Sequence, residues 1–292
     1  MDSSNFRSDR PAANPLMAYM RQPKLYIRLP SQGKYWRPGS LDIASTGEYA
    51  VYSMTARDEL LFKIPDAVMN GQAVVDVIQN CMPNVRDAWE IPNIDLDVIL
   101  IALRIATYGE IMDTPLEIAD LKLEYSLDLR VVMDNIMSEI SWDPVVPLTD
   151  DITVYVKPFT YRDVTSAAKT SFETQRLMQL VDNNDMNQDE RVQAFQNSFS
   201  TLSDSLISTM ASAISKVETT MGTVTDVAFI HEFMNNVDNE LFSKIQKHID
   251  RLREQNSLKP IKVQVTDELR EAGVTGDTIE VPITFDASNF FV

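Results

Sequence analysis

Two histidines and one cysteine are the side chains of this sequence best suited to metal binding or nucleophilic catalysis. His231 begins a His-Glu-Phe-Met-Asn stretch that starts like a zinc-protease helix, but Asn235 stands where the second imidazole is needed. His248 lies far beyond one helical turn from His231 and cannot supply it. A Cys81 nucleophile would need a nearby base, and both histidines belong to another region. The sequence therefore predicts helix-surface histidines and a buried structural thiol.

Other patterns that could carry chemistry are incomplete as well. Gly33-Lys34 lacks the glycine-rich loop of a phosphate-binding site, and eight glycines in all provide no dinucleotide fingerprint. The acidic stretch Asp182-Asn183-Asn184-Asp185 lacks the glycine and terminal glutamate of a calcium loop. We therefore predict no catalytic residue, no cofactor and no metal, and a protein that is not an enzyme.

One segment, Ile94 to Glu110, is apolar almost all the way round a helix. Asp95 is predicted to cap its start, and Gly109 is predicted to end it after Tyr108. A helix with so little polar face belongs in the middle of a domain. Arg104 lies within it and needs a partner wherever it is removed from water.

The residues around this helix predict a mixed α/β domain over 23–150. Its predicted elements are strands at Lys24–Leu29 and Glu48–Ser53, a capped helix start at Thr55–Asp58, and helices at Asp66–Asn70 and Gln72–Asn80. Leu116–Glu124 and Leu127–Met133 alternate with a period near two and indicate a β-hairpin. A helix over Val131–Ile140 is the alternative for the end of this stretch.

The second half of the chain is predicted to be mainly helical. It follows the proline-flanked boundary Trp142–Pro147. The predicted elements are a strand at Ile152–Val156, helices at Tyr161–Val181, Gln188–Val217 and Thr225–Gln255, and strands at Ile261–Val265 and Thr278–Phe285. The fold class is therefore α+β: a flexible basic tail (1–22), an N-terminal α/β domain with a buried central helix (23–150), and a long helical hairpin region with a short C-terminal β-hairpin (151–292).

Apolar residues recur at steps of three and four along the second and third of these helices. In the second helix they include Phe195, Phe199, Leu202 and Val217, on an otherwise polar surface. Such narrow seams suit a long antiparallel helix pair or helix-in-groove contacts with a partner. The sequence leaves two readings open: the seams pack on each other, or they bind another protein.

Charge is distributed unevenly along this acidic chain of net charge −17. Residues 1–40 carry seven cations and two anions, whereas the remaining residues carry 19 cations and 41 anions. The acidic body disfavours nucleic-acid binding, which depends on phosphate contacts. No apolar run approaches the roughly 20 residues that a bilayer span requires, so no membrane contact is expected. This basic front, residues 1–40, is either a solvated tail or an arm that docks on an acidic partner or on the protein's own acidic body.

Three stretches resemble the T4-type bacteriophage baseplate family, whose members act in assembly of the baseplate hub and tail. They are Leu29–Trp36 (LPSQGKYW), Met54–Gly71 (MTARDEL followed by IPDAVMNG) and Asp95–Gly109 with its ALRIATYG ending. Together they cover roughly residues 25–140, in order and at specific spacings. The closing Phe285-Asp286 and Asn289-Phe290-Phe291 are also similar to the ends of family members. Cysteine pairs found in some relatives are missing here, so a zinc-stapled ribbon is not expected.

The resemblance implies a virion morphogenesis protein without chemistry of its own, acting on other phage hub and tail proteins. It implies either a permanent hub component or an assembly factor that leaves, such as a chaperone that holds the tape-measure or hub proteins. A cellular coiled-coil adaptor is the alternative of another class. The predicted location is the host cytoplasm during assembly, with the tail baseplate of the virion as a further site. Oligomeric state stays open.

Phe290, Phe291, Phe195, Phe199 and Leu202 are the predicted partner-binding residues. Burying each C-terminal phenylalanine is worth roughly 1.5–3 kcal/mol, so its exposure in a free protein is costly. The alternative for Phe290 and Phe291 is that they dock back on their own domain.

Overall fold

The computed structural model describes residues 20–118, 121–183, 188–265, 269–270 and 274–281. The helices of these residues are α1 (Ala56–Leu61), α2 (Pro65–Met69), α3 (Gln72–Cys81), α4 (Asn93–Tyr108), α5 (Leu129–Glu139), α6 (Tyr161–Asn183), α7 (Gln188–Ser212), α8 (Val227–Asn236) and α9 (Asn239–Gln255). The strands are β1 (Pro23–Ile27), β2 (Tyr49–Tyr52), β3 (Ile111–Ile118), β4 (Leu121–Asp128), β5 (Val145–Pro147), β6 (Ile152–Val156), β7 (Ile214–Thr219), β8 (Gly222–Val224), β9 (Ile261–Gln264) and β10 (Thr278–Val281). The predicted mixture of helices and strands is confirmed.

Helix α4 is the centre of the first hydrophobic core. Eleven of its 16 residues are buried, and α3, β1, β2 and the start of α5 pack around it. Gly109 ends the helix as predicted: it has a φ of 97° and donates its N–H to the carbonyl of Ile105 at 3.0 Å. The predicted burial of this helix is therefore confirmed, because an all-round apolar segment is stable only when it is surrounded.

Arg104 is the one cation of this helix, and the sequence predicted that it needs a partner. Its guanidinium carbon lies 4.4 Å from the centre of the Tyr108 ring, one turn along the helix. Among the residues that the structure describes, nothing accepts a hydrogen bond from its buried Nη1. Burial lowers the pKa of Arg104, while Tyr108 and the Asp113 carboxylate oppose that shift. The Tyr108 ring face adds a cation–π attraction.

The start of α1 forms the predicted capping box. The Thr55 hydroxyl accepts from the Asp58 N–H, while the Asp58 carboxylate accepts from the Thr55 N–H at 2.7 Å. Strands β1 and β2 pair antiparallel just before it, close to their predicted bounds, with Ile27 opposite Tyr49. Local signals were sufficient here because each of these features depends on residues close together in sequence.

The predicted β-hairpin of the N-terminal domain is displaced toward the N-terminus. Strands β3 and β4 pair from Ile111 opposite Asp128 to Ile118 opposite Leu121, and α5 follows at once. The predicted strand Leu127–Met133 is therefore wrong, and the helical alternative for that stretch is correct. Asp128 starts α5 by accepting a hydrogen bond from the Arg130 N–H at 2.9 Å. Pro115 hid β3 from the sequence pattern, since proline ordinarily argues against a strand interior.

A second hydrophobic core lies between a four-stranded antiparallel sheet and the last helices. The sheet has the order β5-β6-β7-β8, and α8 and α9 contribute to the same core. The predicted helix Gln188–Val217 ends at Ser212. Its last predicted residue, Val217, lies instead in β7, where it pairs with Val154 of β6. The predicted helix Thr225–Gln255 is divided, because Asp238 accepts from the Leu241 N–H at 2.9 Å and begins a new helix.

The chain closes with the predicted antiparallel strand pair, β9 and β10. Residues 282–285 of the predicted last strand, together with Phe290 and Phe291, lie outside the described residues. The first core contains residues up to Val132 and the second begins at Val146. The division of the whole chain into a tail and two domains stays a prediction.

Candidate partner-binding surface

Helices α6 and α7 form a long antiparallel hairpin whose contact face is small and polar. Thr174 of α6 and Ser198 of α7 are buried. They are the only buried side chains among those described between residue 166 and Met210. Small side chains let two helices approach closely but give little hydrophobic stabilisation. One of the two open readings paired the seam of α7 with the helical stretch that follows it. That reading holds in part, because α7 contacts α8 and joins the second core through Met210, but α7 also lies along α6.

Large apolar side chains lie on the outside of this hairpin. We call Val192, Phe195, Phe199 and Leu206 the apolar stripe. Phe195 is 60% exposed and Phe199 is 64% exposed, and Val192 and Leu206 are about half exposed. The helical repeat puts the stripe on one side of α7, about a quarter turn from its contact with α6. Leu202, the remaining predicted residue of α7, is half-buried at the border between stripe and contact face.

The base of the hairpin is fixed to the first core by paired backbone bonds. The Tyr161 N–H donates to the Ile91 carbonyl and the Asn93 N–H to the Phe159 carbonyl, both at 2.8 Å. The Tyr161 ring stacks on Trp89, with ring centres 5.6 Å apart. These contacts join the first residues of α6 to the first turn of α4.

Gly71 packs closely against the same junction between α6 and the first core. It has a φ of 79°, and a Cβ atom built there would lie 3.0 Å from both the Thr165 Cγ2 and the Tyr161 hydroxyl. The position therefore requires glycine both for its backbone conformation and for space.

The histidines and the cysteine occupy the structural positions predicted for them. His231 is exposed and contacts Asn235 of its own helix, and His248 lies 3.0 Å from the Asp143 carbonyl oxygen on the surface. Cys81 is fully buried, and burial raises the pKa of its thiol to about 11. A thiol at that pKa is almost wholly protonated at neutral pH, so it is a poor nucleophile. In the described part of the chain, no group of three His, Cys, Asp or Glu residues is placed to hold a metal.

Arg21 shows where the basic front meets the acidic body. Its guanidinium donates to the Ser53 carbonyl and the Asn80 carbonyl, both at 2.6 Å, and lies 3.8 Å from the buried Asp58 carboxylate. Docking on the protein's own body, one of the two predicted roles of the front, is therefore observed for this residue. Residues 1–19 lie outside the described part.

Asp95 has a different role from the predicted one. Helix α4 begins two residues earlier, after Pro92, so Asp95 lies within its first turn and does not cap it. Its fully buried carboxylate accepts from the Ser31 N–H at 2.7 Å, the Ser31 hydroxyl at 2.5 Å and the Trp36 indole N–H at 2.7 Å. Burial raises the pKa of Asp95 to about 6, and these three donors oppose that rise.

The three stretches that carry the family resemblance therefore meet in one core. Asp95 ties the first of them, Leu29–Trp36, to α4. The second is tied to the same helix, since the Met54 N–H donates to the Thr107 hydroxyl at 3.0 Å. Over a much larger span, residues 22–270, the chain matches the sequence model of a family described as "T4 bacteriophage base plate protein".

The chain belongs to this family. A baseplate family protein is a structural component of the phage baseplate, in contact with other proteins of the virion tail. Neither a curated protein nor a solved structure matches the chain. Among the described residues of this baseplate protein, no helix is long and apolar enough to span a bilayer.

The half-buried carboxylate of Asp97 in this baseplate protein gives a stability prediction. Asp97 lines a cavity of about 600 Å³ between α4, α5 and the chain after α9. Burial raises its pKa to about 6, with no opposing hydrogen bond or charge from the described residues. The folded state therefore binds this proton more tightly than the unfolded chain, whose aspartates titrate near pH 4. The contribution to stability is full below about pH 4 and is lost as pH rises through about 6.

Asp97→Asn is expected to raise the free energy of unfolding at pH 7.5 by about 1–2 kcal/mol, because it removes a desolvated charge without changing shape. Urea unfolding at pH 5 and pH 7.5 measures this, with Asp134→Asn as an exposed control. The variant should gain more at pH 7.5 than at pH 5. Equal gains at both values would contradict the assignment.

Proposed function

We propose that this protein is a component of the baseplate hub, or a factor in hub and tail assembly, that acts only through protein–protein contacts. The observation that supports this most is the apolar stripe of the hairpin. Phe195 and Phe199 are exposed there, while the buried residues described in the neighbouring contact face are Thr174 and Ser198. A helix pair that stabilised only itself would place its phenylalanines between the helices.

The energetics favour a covered stripe in the assembled state. Covering the exposed part of one phenylalanine is worth about 1–2 kcal/mol. A charge of −17 keeps the free chain soluble despite this surface and opposes nonspecific association. Charge is absent from residues 192–203, so the stripe suits an apolar protein surface better than a phosphate backbone.

Replacing the two stripe phenylalanines tests this function. The double variant Phe195→Ser and Phe199→Ser is expected to lower the amount that co-purifies with baseplate intermediates more than tenfold, since 1.4 kcal/mol already corresponds to tenfold. Its circular dichroism should match the wild type, because both side chains are exposed. Phe229→Ser is the matched control, since Phe229 is 63% exposed on α8. Undiminished co-purification of the double variant would contradict the proposal.

Comparing the proteins of purified virions with those of tail-assembly intermediates separates the two forms of the proposal. A hub component is present in both samples. A chaperone for tape-measure or hub proteins is present only in the intermediates.

A further inference from the structure

We propose that the apolar stripe is covered by the same stripe of a second copy, so that two hairpins pack into a four-helix bundle. This inference rests on the proposed function, because it names the occupant of the surface through which that function acts. It is argued from the charge, the register and the area of the stripe.

Charge does not oppose self-contact at the apolar stripe. The chain carries a net charge of −17, so most of its surface repels a second copy. Residues 192–203 contain no charged side chain, and the stripe lies almost wholly within this neutral segment. Two copies can therefore meet there without bringing carboxylates together.

The register of the stripe is compatible with two-fold symmetry. Phe199 lies midway between Val192 and Leu206, the two ends of the stripe. In an antiparallel pair of α7 helices, Phe199 would lie beside its symmetry mate and Val192 beside the partner copy's Leu206. A two-fold contact uses one patch twice, and dimers of this kind are the commonest soluble oligomers.

The contact face within one hairpin explains why a second hairpin is needed. Four-helix bundles bury a continuous apolar core between their helices. In the described part of one hairpin, Thr174 and Ser198 are buried between the helices, and no large apolar side chain is fully buried from residue 166 to residue 209. The stripe is placed to supply it when two hairpins meet side by side.

The exposed area indicates a dimer of moderate strength. The exposed fractions of Phe195 and Phe199 correspond to roughly 250 Å² of apolar surface. A standard interface takes about 800 Å² from each partner, so Val192, Leu206 and the polar side chains between them must also be covered. We therefore expect a dimer that dissociates on dilution.

Sedimentation of the full chain between about 1 and 100 μM tests the proposal. The wild type and Phe229→Ser are expected to show twice the monomer mass at the upper end. The double variant Phe195→Ser and Phe199→Ser is expected to stay monomeric. A monomeric wild type, or a dimer that persists in the double variant, overturns the proposal.

Cross-linking gives a second measurement. Phe199→Cys should form a disulfide-linked dimer under mild oxidation, because the symmetric register brings position 199 of both copies together. Phe229→Cys is the control for random collisions, and the buried Cys81 of the wild type sets the background. Equal cross-linking of both variants overturns the register. A monomeric chain that still co-purifies with baseplate intermediates through Phe195 and Phe199 refutes the dimer and leaves the proposed function intact.

Discussion

Asp95→Ala is expected to lower the free energy of unfolding by roughly 3 kcal/mol at pH 7. The substitution leaves the Ser31 N–H, the Ser31 hydroxyl and the Trp36 indole N–H buried without their acceptor. Each unsatisfied donor costs about 1–3 kcal/mol, and removal of a desolvated carboxylate offsets part of the total. Urea unfolding monitored by tryptophan fluorescence measures the change.

Asp95→Asn is the matched variant for this experiment. Its amide retains one acceptor oxygen in the same place, so the loss should be smaller than for alanine. The opposite order, with asparagine worse than alanine, would show that an amide N–H set against a buried donor costs more than the retained oxygen contributes.

Gly71→Ala is the second substitution with a large expected effect, a loss of about 2–4 kcal/mol. A left-handed φ of 79° costs a non-glycine residue about 1 kcal/mol. The new methyl group would also press against Thr165, Tyr161 and Trp89 at 3.0–3.2 Å, and such overpacking costs about 1–3 kcal/mol more. Thermal or urea unfolding of the full chain reports the sum.

Gly39→Ala separates these two contributions. Gly39 has a φ of 87°, and nothing lies within 4 Å of a Cβ atom built there. This control pays only the backbone cost, so its loss should be about 1 kcal/mol. Equal losses at the two positions would mean that the junction around Gly71 relaxes freely.

The features predicted correctly from the sequence are those whose determinants are close together in the chain. The burial of α4 follows from its own apolar residues, its end from Gly109, and the start of α1 from Thr55 and Asp58. Each can be inferred within a few residues, because helix caps and helical periodicity are local.

The features that were missed depend on contacts between distant residues. Asp95 is a reasonable cap by its local sequence, but its partners lie 59 and 64 residues away. Val217 continues the apolar period of α7, yet strand pairing with Val154 takes it into a sheet. The seam of α7 was recognised, but periodicity alone cannot say which helix lies beside it. Asp238 was a usable signal for the break before α9, since aspartate is a strong helix start.

The paired bonds between Ile91, Asn93, Phe159 and Tyr161 determine how the hairpin can move. They join the start of α6 to the start of α4, so neither helix can pivot at this point without breaking these two hydrogen bonds. A protein that binds the far end of the hairpin therefore also sets the orientation of the amino-terminal half of the molecule. In an assembly, the site at which a partner binds the hairpin therefore determines the direction in which the amino-terminal half points.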